Sequence, residues 1–186
     1  MVSTSTDLAI SRREQNKRDK LNRIVSAARA LFQTQGFEST TTQQIAKAAS
    51  IATGTLFLYA KSKEDLLVLV FNQEMSAVIE STFDAIDPEA PALSAILKLF
   101  QGFIDYHAED VEIARQLIRE LTFLTNPQRI AEVNGIVDQI RTRLETILQR
   151  ARDRGELADV DIPLLARTLF AVYYQQLQAW LGGFLT

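Results

Sequence analysis

Few side chains in this 186-residue sequence could carry covalent chemistry. It has no cysteine and one histidine, His107, which excludes thiol nucleophiles, thiolate metal sites and disulfides. No glycine-rich phosphate loop and no paired metal-ligand spacing is present, so no metal or cofactor is expected. The acidic residues Glu109, Asp110 and Glu112 could attract a cation, but at a predicted helix start their charges complement the helix dipole. A small all-α enzyme is therefore the weakest of three readings.

Hydrogen-bonding chemistry on a surface is better supplied. The stretch TQQIAKAASIATGTLFLYAKSKE, residues 42–64, holds two short apolar patterns that break for three residues and end in lysines. A helix-turn-helix needs apolar residues where its helices touch, a small residue at closest approach and a tight turn. Ile45, Ala46, Ala49, Ile51, Leu56 and Tyr59 fall at those places, with Ala46 at the crossing and Ile51 plugging the corner. Thr53, Gly54, Thr55 and Leu58 then face outward, small enough at the helix start for the backbone to enter a DNA major groove. The charge distribution agrees. Residues 1–63 contain ten Lys/Arg against four Asp/Glu, a net +6, while residues 64–186 contain ten against nineteen, a net −9. A basic head joined to an acidic body suits a polyanionic partner for the head alone.

The elements that must position these residues are all helical. Helical periodicity runs throughout, and no segment alternates as a strand does. A first helix is expected from about Asn16 to Gln35, with Leu21, Ile24, Val25, Ala28, Leu31 and Phe32 on its buried stripe and Gly36 in a left-handed cap. Thr41 and Gln44 have the spacing of a capping box opening a short helix at Thr42–Ala49, and another begins near Thr53. A long amphipathic helix spans about Lys63–Ile86, broken at the proline-containing DPEAPAL. Further helices are predicted at about 91–107, 109–124, 127–154 and 162–182, with Gly155 and Asp161 as caps. The Ser/Thr-rich start is expected to be mobile. This organisation predicts an N-terminal arm and helix-turn-helix head over 1–62 and a helical body over 63–186.

The succession AARALF, Gly36-Phe37, TTTQQIAKAA, Gly54-Thr55-Leu56 and KSKEDLL resembles the head of TetR-family transcriptional regulators over about residues 18–70. The resemblance implies an all-α homodimer. Its heads would bind a palindromic operator in double-stranded DNA, and its variable C-terminal domain would bind a small-molecule effector, usually relieving repression. By position, Thr42, Gln43, Thr53, Gly54, Thr55, Phe57, Tyr59 and Lys63 match the family's DNA-contacting places, with Gln43 and Thr53 best placed for base edges. The chain departs from the pattern in four places. Ser50 replaces the turn glycine, Ala52 a capping serine, Phe57 a phosphate-binding tyrosine and Ala60 a common aromatic.

In the body, Phe100, Phe103, Tyr106, His107, Phe123 and Tyr173 form an aromatic set with a few polar tips, as an apolar effector pocket requires; each is also a plausible core residue. Stripes containing Ile140, Leu144 and Ile147 on one helix and Leu165, Leu169 and Val172 on the last predict a four-helix dimer interface. A DNA-binding protein without an effector is the third reading. No apolar run approaches about 18 residues and the N-terminus lacks a signal-peptide layout, so a soluble cytoplasmic protein with no membrane partner is expected.

Overall fold

The computed structural model describes residues 12–185, and its elements are α-helices joined by turns, with no strand among the described residues. They follow as α1 Arg12–Gln35, α2 Thr42–Ala48, α3 Thr53–Leu56, α4 Lys63–Asp84, α5 Ala92–Ala108, α6 Val111–Thr122, α7 Pro127–Asp153 and α8 Ile162–Leu181. Two compact units divide between Leu66 and Leu67, just past the first turn of α4. The expected mobile Ser/Thr-rich start lies outside the described residues. α1 begins four residues earlier than its apolar stripe suggests, because the added turn, Arg12 to Gln15, is entirely polar and leaves no periodic signal.

In the first unit α2 packs against both α1 and α3. Ile24, Val25, Ala28 and Phe32 of α1 close over Ile45, Ala46 and Leu56, all buried. Gly36 takes φ +81°, turning Phe37 back onto Phe32 with ring centroids 5.2 Å apart. Thr40 is the buried polar residue here, and its hydroxyl donates to the Gly36 carbonyl at 2.8 Å. The Thr41–Gln44 capping box forms in both directions, fixing where α2 starts.

In the second unit α7 packs on α8 and α5, and α6 packs on α5 and α8. α4 has buried residues on every side from Leu67 to Phe71, so Val68 and Leu69 are covered as well as the predicted face. A helix apolar all round in this way is sheathed by its surroundings. Gly102 lies so close to Thr82 that a β-carbon there would collide with the threonine side chain, which lets α5 approach α4 closely. At the far end of α7, Arg154 donates to the carbonyls of Pro88 and Ala90, and the Glu156 carboxylate accepts from the Ala92 amide at 2.8 Å. That amide, then Arg154, holds the Glu156 carboxyl below its usual range. No described helix is long and apolar enough to cross a membrane.

Candidate functional sites: a helix-turn-helix surface and an apolar cavity

The turn between α2 and α3 is a Schellman motif. The Ser50 amide donates to Lys47 and the Ile51 amide to Ala46, at 3.1 and 3.0 Å, with Ser50 in the left-handed region at φ 54°. Ser50 is the one described residue other than glycine with positive φ. The replacement of the turn glycine therefore leaves the geometry intact and stores strain of about 1 kcal/mol. Ala52 precedes α3 in extended conformation and gives it no side-chain cap. Hydrogen bonds from Leu58, Tyr59 and Ala60 to Thr55 and Leu56 continue the turn beyond α3, so the helix is shorter than its exposed surface.

Gln43, Gly54, Phe57 and Leu58 are exposed, Leu58 by 83%, while Thr42, Thr53, Thr55 and Tyr59 are half-buried. Gly54 is informative. Its φ is not left-handed, and a β-carbon there would meet no atom within 4 Å. Nothing inside the chain requires a glycine at this point, so the bare backbone is available to something outside it.

Lys63 is differently placed. Its ammonium donates to the carbonyls of Phe37 and Glu38 at 2.8 and 3.2 Å, lies 4.3 Å from the Phe37 ring centroid and pairs with the Glu38 carboxylate at 3.8 Å. The charge is engaged in tying the start of α4 to the α1–α2 loop. Spacing alone could not distinguish this from a lysine held out to solvent.

The second unit contains a cavity of about 230 Å³. Phe71 and Met75 of α4, His107 of α5, Ile118 and Leu121 of α6, Val133, Ile136, Val137 and Ile140 of α7, and Phe170, Tyr173, Tyr174 and Leu177 of α8 line it. Its polar groups are one imidazole and two phenols. Burial depresses His107 from its ordinary value to about 4, so the ring is neutral at physiological pH, and its Nδ1 has no hydrogen-bond partner. Burial likewise raises Tyr173, aided by the neighbouring Tyr174, and raises Tyr174 itself, so both phenols keep their protons.

Of the aromatic set read from the sequence, His107 and Tyr173 line this cavity. Phe100 and Phe103 pack behind it against Tyr173, with centroids at 4.8 and 5.7 Å. Tyr106 donates to Glu74 at 3.0 Å beside His107. Phe123 is 77% exposed and lies outside the cavity, because α6 ends one residue before it. Sequence reasoning missed the aliphatic walls from α6 and α7, whose residues read as ordinary core.

The proposed interface residues also divide. Ile140, Leu144 and Ile147 are buried within their own chain, Leu165 and Leu169 are half-buried, and Val172 is 56% exposed. The remaining exposed stripe runs along α8 through Leu164, Thr168 and Val172, with Ala171 and Gln175 alongside.

A helix-turn-helix head followed by a helical unit with a partly open, mostly apolar cavity is the arrangement of a ligand-responsive transcriptional regulator. Residues 24–70 match the family model described as bacterial regulatory proteins, tetR family. The fatty acid metabolism regulator protein of Bacillus subtilis (strain 168) is 27% identical over 165 residues, covering 88% of this chain and 84% of that protein. The HTH-type transcriptional regulator UidR of Escherichia coli (strain K12) is 28% identical over 182 residues, with 88% and 92% covered. The crystal structure of Thermus thermophilus FadR, a TetR-family repressor in complex with lauroyl-CoA, superposes with a TM-score of 0.68 at 26% identity, covering 87% of this chain and 82% of that one. Residues 24–70 thus carry the head of the TetR family, and over most of its length the chain is similar to TetR-family transcriptional regulators.

Proposed function

We propose that this regulator is a homodimeric repressor that binds a palindromic operator through residues 1–62 and is released by an apolar effector held in residues 63–186. The bare backbone at Gly54, on the exposed start of α3, carries the DNA reading. Thr42, Gln43, Thr53, Thr55, Phe57 and Tyr59 surround that point as contacts to bases and phosphates, while Lys63 positions α4 instead of meeting phosphate. The exposed stripe on α8 is the pairing surface, supported by the bare Leu164 and Val172, two turns apart on one face. Paired heads must sit about 34–36 Å apart to enter successive major grooves, so an effector that alters this spacing releases the operator.

The effector is a compound with an acyl or similar aliphatic chain. The cavity's aliphatic and aromatic lining supports this, as does the lauroyl-CoA bound by the similar Thermus thermophilus repressor. The chain acts as a binding protein and catalyses no reaction. Selection of bound sequences from a random DNA pool, followed by titration of the selected site, tests the proposal. The expected result is a palindrome bound with a steep salt dependence, each neutralised phosphate adding about −0.9 to the log–log slope. Absence of any enriched sequence, or a flat salt response, would refute it.

A further inference from the structure

A polar cluster with one buried guanidinium lies where Asn72 of α4 meets Glu132 of α7, one turn along α7 from residues that line the cavity. The Arg129 side chain is 3% exposed and donates to Glu132 Oε2 at 2.6 Å. The same carboxylate accepts from Gln128 at 2.9 Å and, across from α4, from Asn72 Nδ2 at 3.3 Å. Asn72 Oδ1 is buried without a partner. A guanidinium this deep is costly to maintain, and the unpartnered amide oxygen of Asn72, whose nitrogen meets the same carboxylate, marks a network left incomplete.

Position relates the cluster to the cavity. Arg129 lies four residues before Val133, and Glu132 four before Ile136, so each shares a face of α7 with a lining residue about 6 Å along the axis. Asn72 follows Phe71 and precedes Met75 by three, both of which line the cavity. The volume of about 230 Å³ equals roughly eight water molecules at ~30 Å³ each, and a methylene group fills a similar space.

We infer that the cavity takes an apolar chain of about eight carbons whose anionic head reaches Arg129 in competition with Glu132. This deepens the effector reading and rests on it. A head carboxylate on Arg129 displaces the Glu132 carboxylate, which then no longer holds Asn72, so ligand charge is exchanged for a tether between α7 and α4. The free acid has this carboxylate at the end of its chain; in the coenzyme A thioester the acyl head is uncharged and the phosphates lie a pantetheine arm away, so the thioester serves as the contrast.

Calorimetric titration of the full-length protein with octanoate, octanol and octanoyl-CoA tests the inference. Octanoate should bind roughly ten- to a hundredfold more tightly than octanol, as loss of a charged hydrogen-bond partner implies. Arg129→Met should remove that advantage. Glu132→Gln, which keeps the shape and removes the competing charge, should tighten octanoate severalfold and leave octanol unchanged, which a purely structural role would not do. Should Arg129→Met fail to fold, Glu132→Gln decides alone. If octanoate responds to the substitutions, the head is the carboxylate of the free acid; if only octanoyl-CoA binds, the inference is overturned, because the thioester offers Arg129 no charged acyl head. Equal binding of octanoate and octanol, or indifference of all three to both substitutions, overturns the inference while leaving the cavity an effector site. Binding of none of the three overturns both.

Discussion

Substituting Gly54 separates a structural glycine from a DNA-facing one. In Gly54→Ala the added β-carbon meets no atom within 4 Å and the backbone is not left-handed, so the folded head bears no clash or strain. Alanine is favoured over glycine in a helix by at most about 1 kcal/mol, less near an end, so the head should gain about 0.5 kcal/mol. Against a duplex the same methyl group is an overpacking change at a close contact, costing about 1–3 kcal/mol, or roughly five- to a hundredfold in affinity. The two effects have opposite signs. Native-state hydrogen exchange on Leu56 and Ile51 amides should show equal or greater protection, while fluorescence anisotropy on the selected operator shows the loss. Gly54→Val should deepen the loss without unfolding the head. An alanine variant that binds the operator as tightly as the parent would refute the reasoning, since the backbone would then not approach DNA closely.

Ser50→Gly relieves a left-handed serine, and with the entropy cost of glycine subtracted should stabilise the head by about 0.5 kcal/mol, read as slower exchange of the Ile51 amide. Lys63→Met removes charged hydrogen bonds to two carbonyls and should destabilise the head by about 1.5–3 kcal/mol, with the salt slope of operator binding unchanged; a slope reduced by one phosphate would assign it to DNA instead. His107 has a folded-state value near 4 against an ordinary value of 6.5, so the unfolded chain binds the extra proton first. Stability should fall as pH drops from about 6.5 and level off below about 4, a loss of about 3 kcal/mol absent from His107→Phe in parallel urea titrations. Val172→Arg, at an exposed position of α8, should leave thermal unfolding nearly unchanged and give a monomer by light scattering at micromolar concentration; a persistent dimer would place the interface elsewhere.

The sequence by itself determined the helices and the head. Their signals are local: apolar residues at one-turn spacing, the Thr41–Gln44 box, Gly36 and Gly155 in left-handed caps, and Asp161 accepting from Leu164. The left-handed turn at Ser50 was legible only through the resemblance, which places a glycine there. The tertiary structure alone decided which apolar residues are walls, which are interior and which remain bare. Ile140 and Val172 are equally apolar in sequence, yet one lines a cavity and the other is exposed, because burial depends on packing partners that come from distant helices. Lys63 meeting the Phe37 carbonyl across 26 positions, and Asn72 meeting Glu132 across 60, are of the same kind. No periodicity within a helix carries information about a partner brought to it only by folding.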